Sequence, residues 1–255
     1  MDWTRRSVES EIEISRALGS QPVEYSDFVH MYNPSVAWNG DFNRAVGVKL
    51  SDIGSFEKVV AQVERIHKEK GLEKPNRYDV HPPGLDRSLW QGHLREKGYD
   101  VHTAIFFWAP PFEESLPTDF ALAVPADDEY LSWFRARVQA RRYYTAEWFD
   151  KVRPLQLGFT RLFRPYWLFR RGELVAWVYC ALLGDYTRLF GVEVDAACRR
   201  QGLGTILLHA IRVETGKLGA DAVLLQSGEH LAAFYERAGF SECVRSSIIW
   251  RKGTD

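Results

Sequence analysis

The chain has 255 residues, of which 45% are hydrophobic and 26% charged, and its formal net charge is −1. These values lie close to globular averages, so they exclude disorder over most of the length. A net charge near zero also excludes a chain-wide attraction to nucleic acid or to an anionic membrane. Domains commonly have about 100–150 residues, which leaves one large or two small domains open.

The cysteines, the histidines and the first residues of the chain exclude further classes of protein. The three cysteines are Cys180, Cys198 and Cys243, and with no CxxC pair they predict neither a disulfide framework nor a zinc ribbon. None of the seven histidines is spaced as a metal ligand. The opening MDWTRRSVESEIE is too charged for a signal peptide, and no apolar run approaches the ~18–20 residues of a membrane span. We expect a cytoplasmic protein without a metal.

A proline-rich stretch predicts where the chain divides. WAPPFEESLPT, residues 108–118, contains three prolines, which usually mark a connector. We therefore predict an N-terminal domain over 1–110, a linker over 111–119 and a second domain over 120–255.

The N-terminal half repeats features of the C-terminal half. AVGV, residues 45–48, reads as a strand before the helical stretch SFEKVVAQVERIHKEKG. A shift of 141 positions aligns Trp90, Leu94, Gly98 and Tyr99 with Leu231, Tyr235, Gly239 and Phe240. An apolar strand follows both copies, which suggests a duplication. The first copy carries KLSDIGS before its helix, without arginine or paired glycines, so a phosphate site at this turn is expected only in the second copy.

The C-terminal half alternates short strands and helices. A strand at 120–124 and a helix from about Asp127 come first, and a hairpin of strands 166–169 and 174–183 follows. The remaining elements are a strand at 187–194, a helix with the stripe Leu203, Leu207, Ala210 and Ile211, a strand at 222–226, a helix over HLAAFYERAG that ends at Gly239, and the closing strand CVRSSIIWR. The order β-α-β-β-β-α-β-α-β predicts a mixed α/β layer arrangement.

The turn CRRQGLGTILL, residues 198–208, is the strongest chemical motif. A helix N-terminus presents unpaired amides and partial positive charge, and glycines let a phosphate approach them. The nucleotide P-loop is excluded because Thr205, not lysine, follows Gly204, and the dinucleotide motif would need a glycine at Leu207. The alternative is that the two glycines serve only tight packing.

Residues 199–204, RRQGLG, resemble the [RQ]-x-x-G-x-[GA] signature of the GNAT N-acetyltransferase family. Upstream, VEV at 192–194 matches the family strand that lies along the pantetheine arm of the coenzyme, and downstream AAFYERAGF at 232–240 matches its tyrosine-bearing helix. Gly228 stands where the family often has asparagine. The resemblance covers about residues 120–252 and implies the α/β (α+β) class, a GNAT-like mixed central sheet flanked by helices, in two tandem copies of which the first is degenerate.

The resemblance implies acetyl-coenzyme A as co-substrate and a set of residues that hold it. These are Val192, Glu193, Val194, Arg199, Arg200, Gln201, Gly202, Leu203, Gly204, Thr205 and Tyr235. The Val192 N–H would hold the thioester oxygen, and Tyr235 would protonate the leaving thiolate; the alternative for Tyr235 is an aromatic core residue. The position of a family glutamate base is Arg188, and strand alternation would place Glu193 on the opposite face. Water, Tyr179 and Asp185 remain open as proton relays.

The acceptor region follows from charge and aromatic content. Residues 135–171 contain nine arginines and one lysine with interleaved aromatics, which favours an anionic or planar acceptor. Candidate acceptor contacts are Arg141, Arg142 and Tyr179. The alternative is a solvated basic helix face.

The sequence thus predicts transfer of an acetyl group from acetyl-coenzyme A to a primary amine by direct attack in a ternary complex. The acceptor would be an amine-bearing small molecule or peptide, the protein a monomer or homodimer, and no membrane partner is expected. An inactive acyl-coenzyme A sensor or regulatory module is the alternative. Binding of RNA through the arginine-rich region is a third reading, which the near-neutral charge disfavours.

Overall fold

The computed structural model describes residues 2–37, 42–73, 75, 77–81, 87–140, 153, 156 and 158–252, and only the backbone of 53, 87–90 and 138–140. The chain contacts divide into two units. The first unit is Met1–Phe107, Gln226–Ala233 and Glu242–Asp255, and the second unit is Trp108–Leu225 and Phe234–Ser241.

The first unit is a mixed sheet with helices. Its helices are α1 (Trp3–Ala17), α2 (Ile53–Lys70) and α3 (Arg87–Glu96), and its strands are β1 (Gln21–Glu24), β2 (Val29–Tyr32), β3 (Arg44–Val48), β4 (Arg77–Val80), β5 (Tyr99–Ala109) and β11 (Ser241–Arg251). The strand order is β1-β2-β3-β4-β11-β5. β3 and β4 are parallel, whereas β2 pairs antiparallel with β1 and β3, and β11 with β4.

Helix α2 shows why the first unit has a core. Phe56, Val59, Val63 and Ile66 recur at three- and four-residue spacing, so they form one apolar face. All four are buried in a cluster that includes Tyr78 of β4. Burial of this face, more than helix propensity, stabilises α2 in place.

The second unit is built on five strands. Its elements are β6 (Phe120–Ala123), α4 (Asp127–Ala140), β7 (Arg164–Arg170), β8 (Glu173–Leu183), β9 (Tyr186–Val194), α5 (Leu203–Lys217), β10 (Ala222–Gly228) and α6 (Ala232–Arg237). The strand order is β10-β9-β8-β7-β6. β9 and β10 are parallel and the other pairs antiparallel, so this sheet is mixed, as predicted.

The predicted strands and helices of the C-terminal half occur in the predicted order, but a helical segment at 158–162, which was not predicted, precedes β7. Gly239 has φ +84, which confirms the left-handed helix end predicted there. The helix predicted over HLAAFYERAG differs, since Glu229–Leu231 form a 3-10 turn and the α-helix begins only at Ala232.

The closing strand lies elsewhere than the predicted domain division placed it. The predicted second domain, 120–255, includes this strand, yet β11 pairs with β4 through Ser247↔Val80 and Trp250↔Arg77 in the first unit. A period-two apolar pattern identifies a strand but carries no information about its partner, which is the physical reason for the difference.

The two halves share a local arrangement. β3-α2-β4 and β9-α5-β10 each join two parallel strands through one helix. Each first strand contains a glycine at positive φ where its register shifts, Gly47 (φ +66) and Gly191 (φ +64). The shared arrangement supports the duplication, which remains a prediction.

Candidate functional site

A bulge in β9 is the first feature of the site. Phe190 opposes Tyr179 and Glu193 opposes Trp177, so three steps along β9 match two along β8. Gly191 supplies the extra residue at φ +64, and a Cβ on it would lie 3.2 Å from Cδ2 of Tyr179. Both the backbone conformation and the close ring require glycine.

The bulge is followed by an open strand edge. The parallel register of β9 with β10 runs from Tyr186 to Leu189. Among the residues that the structure describes, the rest of β9 pairs with β8 alone. The backbone groups of 190–194 that face away from β8 therefore have no strand partner, and such an edge can pair with an extended ligand.

The turn before α5 is the second feature. Gly202 is the N-cap of α5 with φ +77 and makes no side-chain cap hydrogen bond. Thr205 N and Ile206 N donate to Gly202 O, whereas helix geometry leaves the amides of Leu203 and Gly204 without partners within the helix. No atom lies within 4 Å of a Cβ placed on Gly202, so the turn is open on that side. The helix N-terminus is suited to an anion.

The two glycines of the turn have different roles. A Cβ on Gly204 would lie 3.0 Å from Cζ of Phe234 and 3.6 Å from Cγ2 of Val194. Gly204 thus permits close packing of α5, the alternative considered from the sequence. Gly202 instead meets open space, so its conformation and not its packing requires glycine.

The matching helix start in the first unit is closed to anions. Asp52 accepts a hydrogen bond from Ser55 N at 2.7 Å, and the Ser55 hydroxyl accepts from Asp52 N at 3.2 Å. This capping box pairs the amides of Asp52 and Ser55 and places a carboxylate at the helix start. A phosphate would meet like charge there, which agrees with the expectation of a site in the second copy only.

Polar side chains surround the turn of the second unit. Arg199 is exposed and its Nε donates to Val194 O at 3.4 Å, and Gln201 accepts from Arg170 at 3.2 Å. Arg200 is exposed with φ +64, an uncommon conformation for a residue with a side chain. Backbone strain of this kind persists where the surroundings impose it, often at functional sites.

Glu193 lies on a different face from the one predicted. Residues directly opposite in an antiparallel pair share a face, so Glu193 with Trp177 lies on the same side as Phe190 with Tyr179 and Arg188 with Ala181. The expectation that strand alternation puts Glu193 opposite Arg188 is wrong, because the bulge inserts one residue. Glu193 Oε2 accepts from Arg137 Nη2 at 2.7 Å.

A cluster of aromatic side chains holds that ion pair. The guanidinium of Arg137 lies 3.9 Å from the ring centroid of Trp177 and 5.1 Å from that of Trp133, with cation–π geometry. The two tryptophan rings are 5.1 Å apart. Arg137, Trp133 and Trp177 were not singled out from the sequence, although Arg137 falls in the arginine-rich stretch that was.

Tyr179 lies beside the bulge and belongs to a hydroxyl chain. Its Oη is 3.0 Å from that of Tyr130, which donates to Oε1 of Gln156 at 3.1 Å. Because Tyr130 uses its hydrogen on Gln156, Tyr179 is the donor to Tyr130. Burial, followed by the neighbouring Tyr179, raises the pKa of Tyr130. Tyr179 therefore directs its own hydrogen at Tyr130 and is held in this chain beside the bulge.

Tyr235 is buried, with 5% of its surface exposed. Its ring centroid lies 5.0 Å from that of Phe234 and 6.2 Å from that of Phe240. These contacts fit the core alternative and leave the acid role a prediction.

Arg212 contacts the backbone that follows Tyr235 and holds it in place. Its Nη1 donates to Ala238 O at 3.4 Å and its Nε to Pro110 O at 2.9 Å, while the guanidinium lies 4.9 Å from the ring centroid of Phe112. An arginine on a helix carries no sequence signal for such a role.

Arg188, which stands at the position of the family's glutamate base, is a core residue. Arg188 is almost fully buried, with 1% exposed, and donates to Leu189 O. A guanidinium is always protonated, so Arg188 cannot act as the base. Arg141 and Arg142 lie outside the described residues.

Within the described part of the chain, no helix is long and apolar enough to cross a membrane and no three potential metal ligands cluster.

A known protein family matches part of the chain. Residues 126–240 match the acetyltransferase (GNAT) family. Curated protein sequences yield no significant match.

Solved structures share the fold. The GCN5-related N-acetyltransferase from Kribbella flavida is 16% identical with a TM-score of 0.65, covering 96% of this chain and 95% of that one. A functionally unknown conserved protein from Staphylococcus epidermidis is 12% identical with a TM-score of 0.69, covering 92% and 95%. A tandem GNAT protein from the clavulanic acid biosynthesis pathway is 14% identical with a TM-score of 0.51, covering 82% and 75%. The match to the acetyltransferase (GNAT) family covers residues 126–240 of the 255, and the chain is similar in fold to these solved structures.

Proposed function

We propose that the protein is an N-acetyltransferase that moves an acetyl group from acetyl-coenzyme A to a primary amine. The observation that carries the proposal is the uncapped helix start at Gly202, which lies directly after a bulged strand with an open edge. Residues 199–205 would bind the diphosphate, and the open edge at 192–194 would pair with the pantetheine amides.

The proposed acetyl transfer requires few catalytic side chains. The neutral amine attacks the carbonyl carbon of the thioester, whose oxygen accepts a hydrogen bond from the Val192 N–H. As the C–S bond breaks, the thiolate takes the phenolic proton of Tyr235, since a phenol is protonated at neutral pH. The proton lost by the amine passes to water.

A glutamate at Gly202 tests coenzyme binding. Gly202→Glu places a carboxylate beside the amides that would hold the diphosphate, so we expect coenzyme A to bind at least about 100-fold more weakly, as expected for loss of charge-assisted hydrogen bonds. Titration calorimetry measures the affinity.

Gly172→Glu is the matched control. Gly172 also has positive φ (+86) with no atom within 4 Å of its Cβ, but it lies in the β7–β8 turn. This control should bind coenzyme A like wild type. Wild-type affinity in Gly202→Glu would refute the diphosphate site.

The second candidate is an acyl-coenzyme A sensor without turnover. The sensor is favoured because Arg188, which cannot accept a proton, stands where the family has a glutamate base. It is also favoured because the carboxylate of Glu193 is already paired with Arg137. Purified protein should be incubated with acetyl-coenzyme A and a panel of amino acids, polyamines, aminoglycosides and peptides. Thiol release above the uncatalysed rate supports the enzyme, and tight binding without release supports the sensor.

We further propose an acceptor that is anionic or planar, bound on the face of β8 and β9 that carries Tyr179. Arg137, fixed over Trp177 and paired with Glu193, is the described cation best placed to meet such a group. A cytoplasmic, monomeric or homodimeric protein fits this function.

A further inference from the structure

A cavity of about 460 Å³ lies within the first unit. Its walls come from α1, the loop between β1 and β2, the bulge of β3 and the end of β4. Its size is in the range of small-molecule sites. All of its described lining residues belong to the first unit, whereas residues 192–205 of the proposed acyl-transfer site belong to the second.

The hydrogen bonds of His81 define its chemistry in the cavity. The Ser7 hydroxyl donates to Thr4 O at 2.8 Å, so its oxygen accepts from Nδ1–H of His81 at 3.2 Å. The ring therefore presents the lone pair of Nε2. Burial lowers the pKa of His81, although Asp79 and Glu11 oppose that shift, and the ring is neutral near pH 7. A neutral, fixed acceptor suits a ligand that brings a donor.

Two exposed charges line the same cavity. Glu24 is the last residue of β1 and Lys49 follows the bulge of β3. Neither forms an ion pair with any residue that the structure describes, and a ligand with both charges would satisfy them. By contrast, Arg5 at the cavity wall is already paired with Glu9 at 3.3 Å.

The rest of the wall is apolar and aromatic. Tyr25 and Phe28 stack with ring centroids 4.9 Å apart, and Val8 lies against the bulge. A Cβ on Gly47 would come within 2.9 Å of Val8 Cγ1, so glycine lets α1 close one side. This surface fits an apolar or aromatic side chain.

We propose that the cavity binds a small zwitterion of the amino-acid class with an aromatic side chain. Its ammonium group donates to Nε2 of His81 and to Glu24, its carboxylate accepts from Lys49, and its ring packs against Tyr25 and Phe28. The site is independent of the acyl-transfer proposal, because it lies in the other unit and needs no coenzyme.

Titration calorimetry of the full chain with three small molecules tests the contribution of each charged group of the ligand. L-Phenylalanine carries both charges, 2-phenylethylamine lacks the carboxylate and 3-phenylpropionate lacks the ammonium group. We expect L-phenylalanine to bind and each of the other two to bind at least about tenfold more weakly, since each loses one charge-assisted contact. No binding of L-phenylalanine, or equal binding of a probe with one charge, overturns the proposal.

Variants at exposed positions test the same contacts without disturbing the core. Lys49→Gln and Glu24→Gln should each weaken L-phenylalanine binding about tenfold. Lys58→Gln, on the exposed surface of α2 outside the cavity, should leave it unchanged. Unchanged affinity in both Lys49→Gln and Glu24→Gln refutes the site. Gly202→Glu should bind L-phenylalanine normally, which separates this result from failure of the acetyltransferase proposal.

Discussion

Three glycines of the second unit are required for three physical reasons. Gly191 combines positive φ with a ring 3.2 Å from its Cβ position, whereas Gly202 has positive φ and open space. Gly204 is helical, and the close approach of Phe234, 3.0 Å from its Cβ position, is the main reason for glycine there. A ligand contact can depend directly on Gly202, while the other two shape the strand and the helix packing.

The variant Tyr235→Phe tests whether the phenol of Tyr235 is the general acid. Removal of the phenolic proton donor should lower kcat about 100-fold or more while leaving the KM for acetyl-coenzyme A within about twofold, because general acid catalysis contributes ~10²–10⁴-fold. Steady-state kinetics with an accepted amine measures both constants. Tyr166→Phe, another buried tyrosine of the second unit, is the control and should retain kcat. An equal loss in both variants would assign Tyr235 to packing.

Between elements, a buried histidine pair joins β2 to α2. Nε2 of His30 lies 3.0 Å from Nε2 of His67, and His67 Nδ1 bonds Glu73 O. Burial first, then His67 and Lys70, lowers the pKa of His30 to about 3, and burial also lowers the pKa of His67. The packing of α2 on β2 therefore depends on both rings staying neutral.

This pair predicts acid sensitivity of the fold. Because the pKa of His30 is lower in the folded chain than its unfolded value of ~6.5, its contribution is fully present above pH 6.5 and falls as pH drops toward 3. From pH 7 to 5 the free energy of unfolding should decrease by about 2 kcal/mol from His30. Urea unfolding at several pH values measures the slope.

His30→Gln should flatten that slope, and His102→Gln, an exposed position on β5, should not. If wild type and His30→Gln show the same pH dependence, the pair does not control acid stability.

Across the whole molecule, the last strand belongs to the first unit. β11 lies between β4 and β5 in the strand order, and its Ile249 is fully buried with the core around α2. The chain builds most of the first unit, then the second, and returns to complete the first. The first 110 residues thus lack one central strand.

A fragment of residues 1–110 should not fold by itself. Without β11, the facing edges of β4 and β5 are unpaired and the core loses Ile249, so we expect aggregation or a loss of cooperative thermal unfolding. Circular dichroism and gel filtration report the outcome. Addition of a peptide of residues 241–252 should restore a cooperative transition, whereas a scrambled peptide should not. A fragment that melts cooperatively without the peptide contradicts this role of β11.

Much of the site could be predicted from local sequence. Gly202, Gly204 and the arginines before them lie within six residues, and the strand and helix on either side have clear periods, so their arrangement is local. Tyr130, Gln156, Arg137 and Arg212 carry no such signal, because each acts through a partner at least 26 residues away. Their roles follow from packing.

The amino-acid sequence by itself determined the mixed α/β class of the fold, most of its elements and the glycine turn at 199–204, because helix and strand periods and a glycine turn are properties of neighbouring residues. Only the tertiary structure decided that Glu193 shares a face with Tyr179, that β11 completes the first unit and that His81, Glu24 and Lys49 line one cavity. One added residue in a strand reverses the faces beyond it, and strand partners and cavity walls come from distant parts of the chain, so neither is encoded in any short stretch.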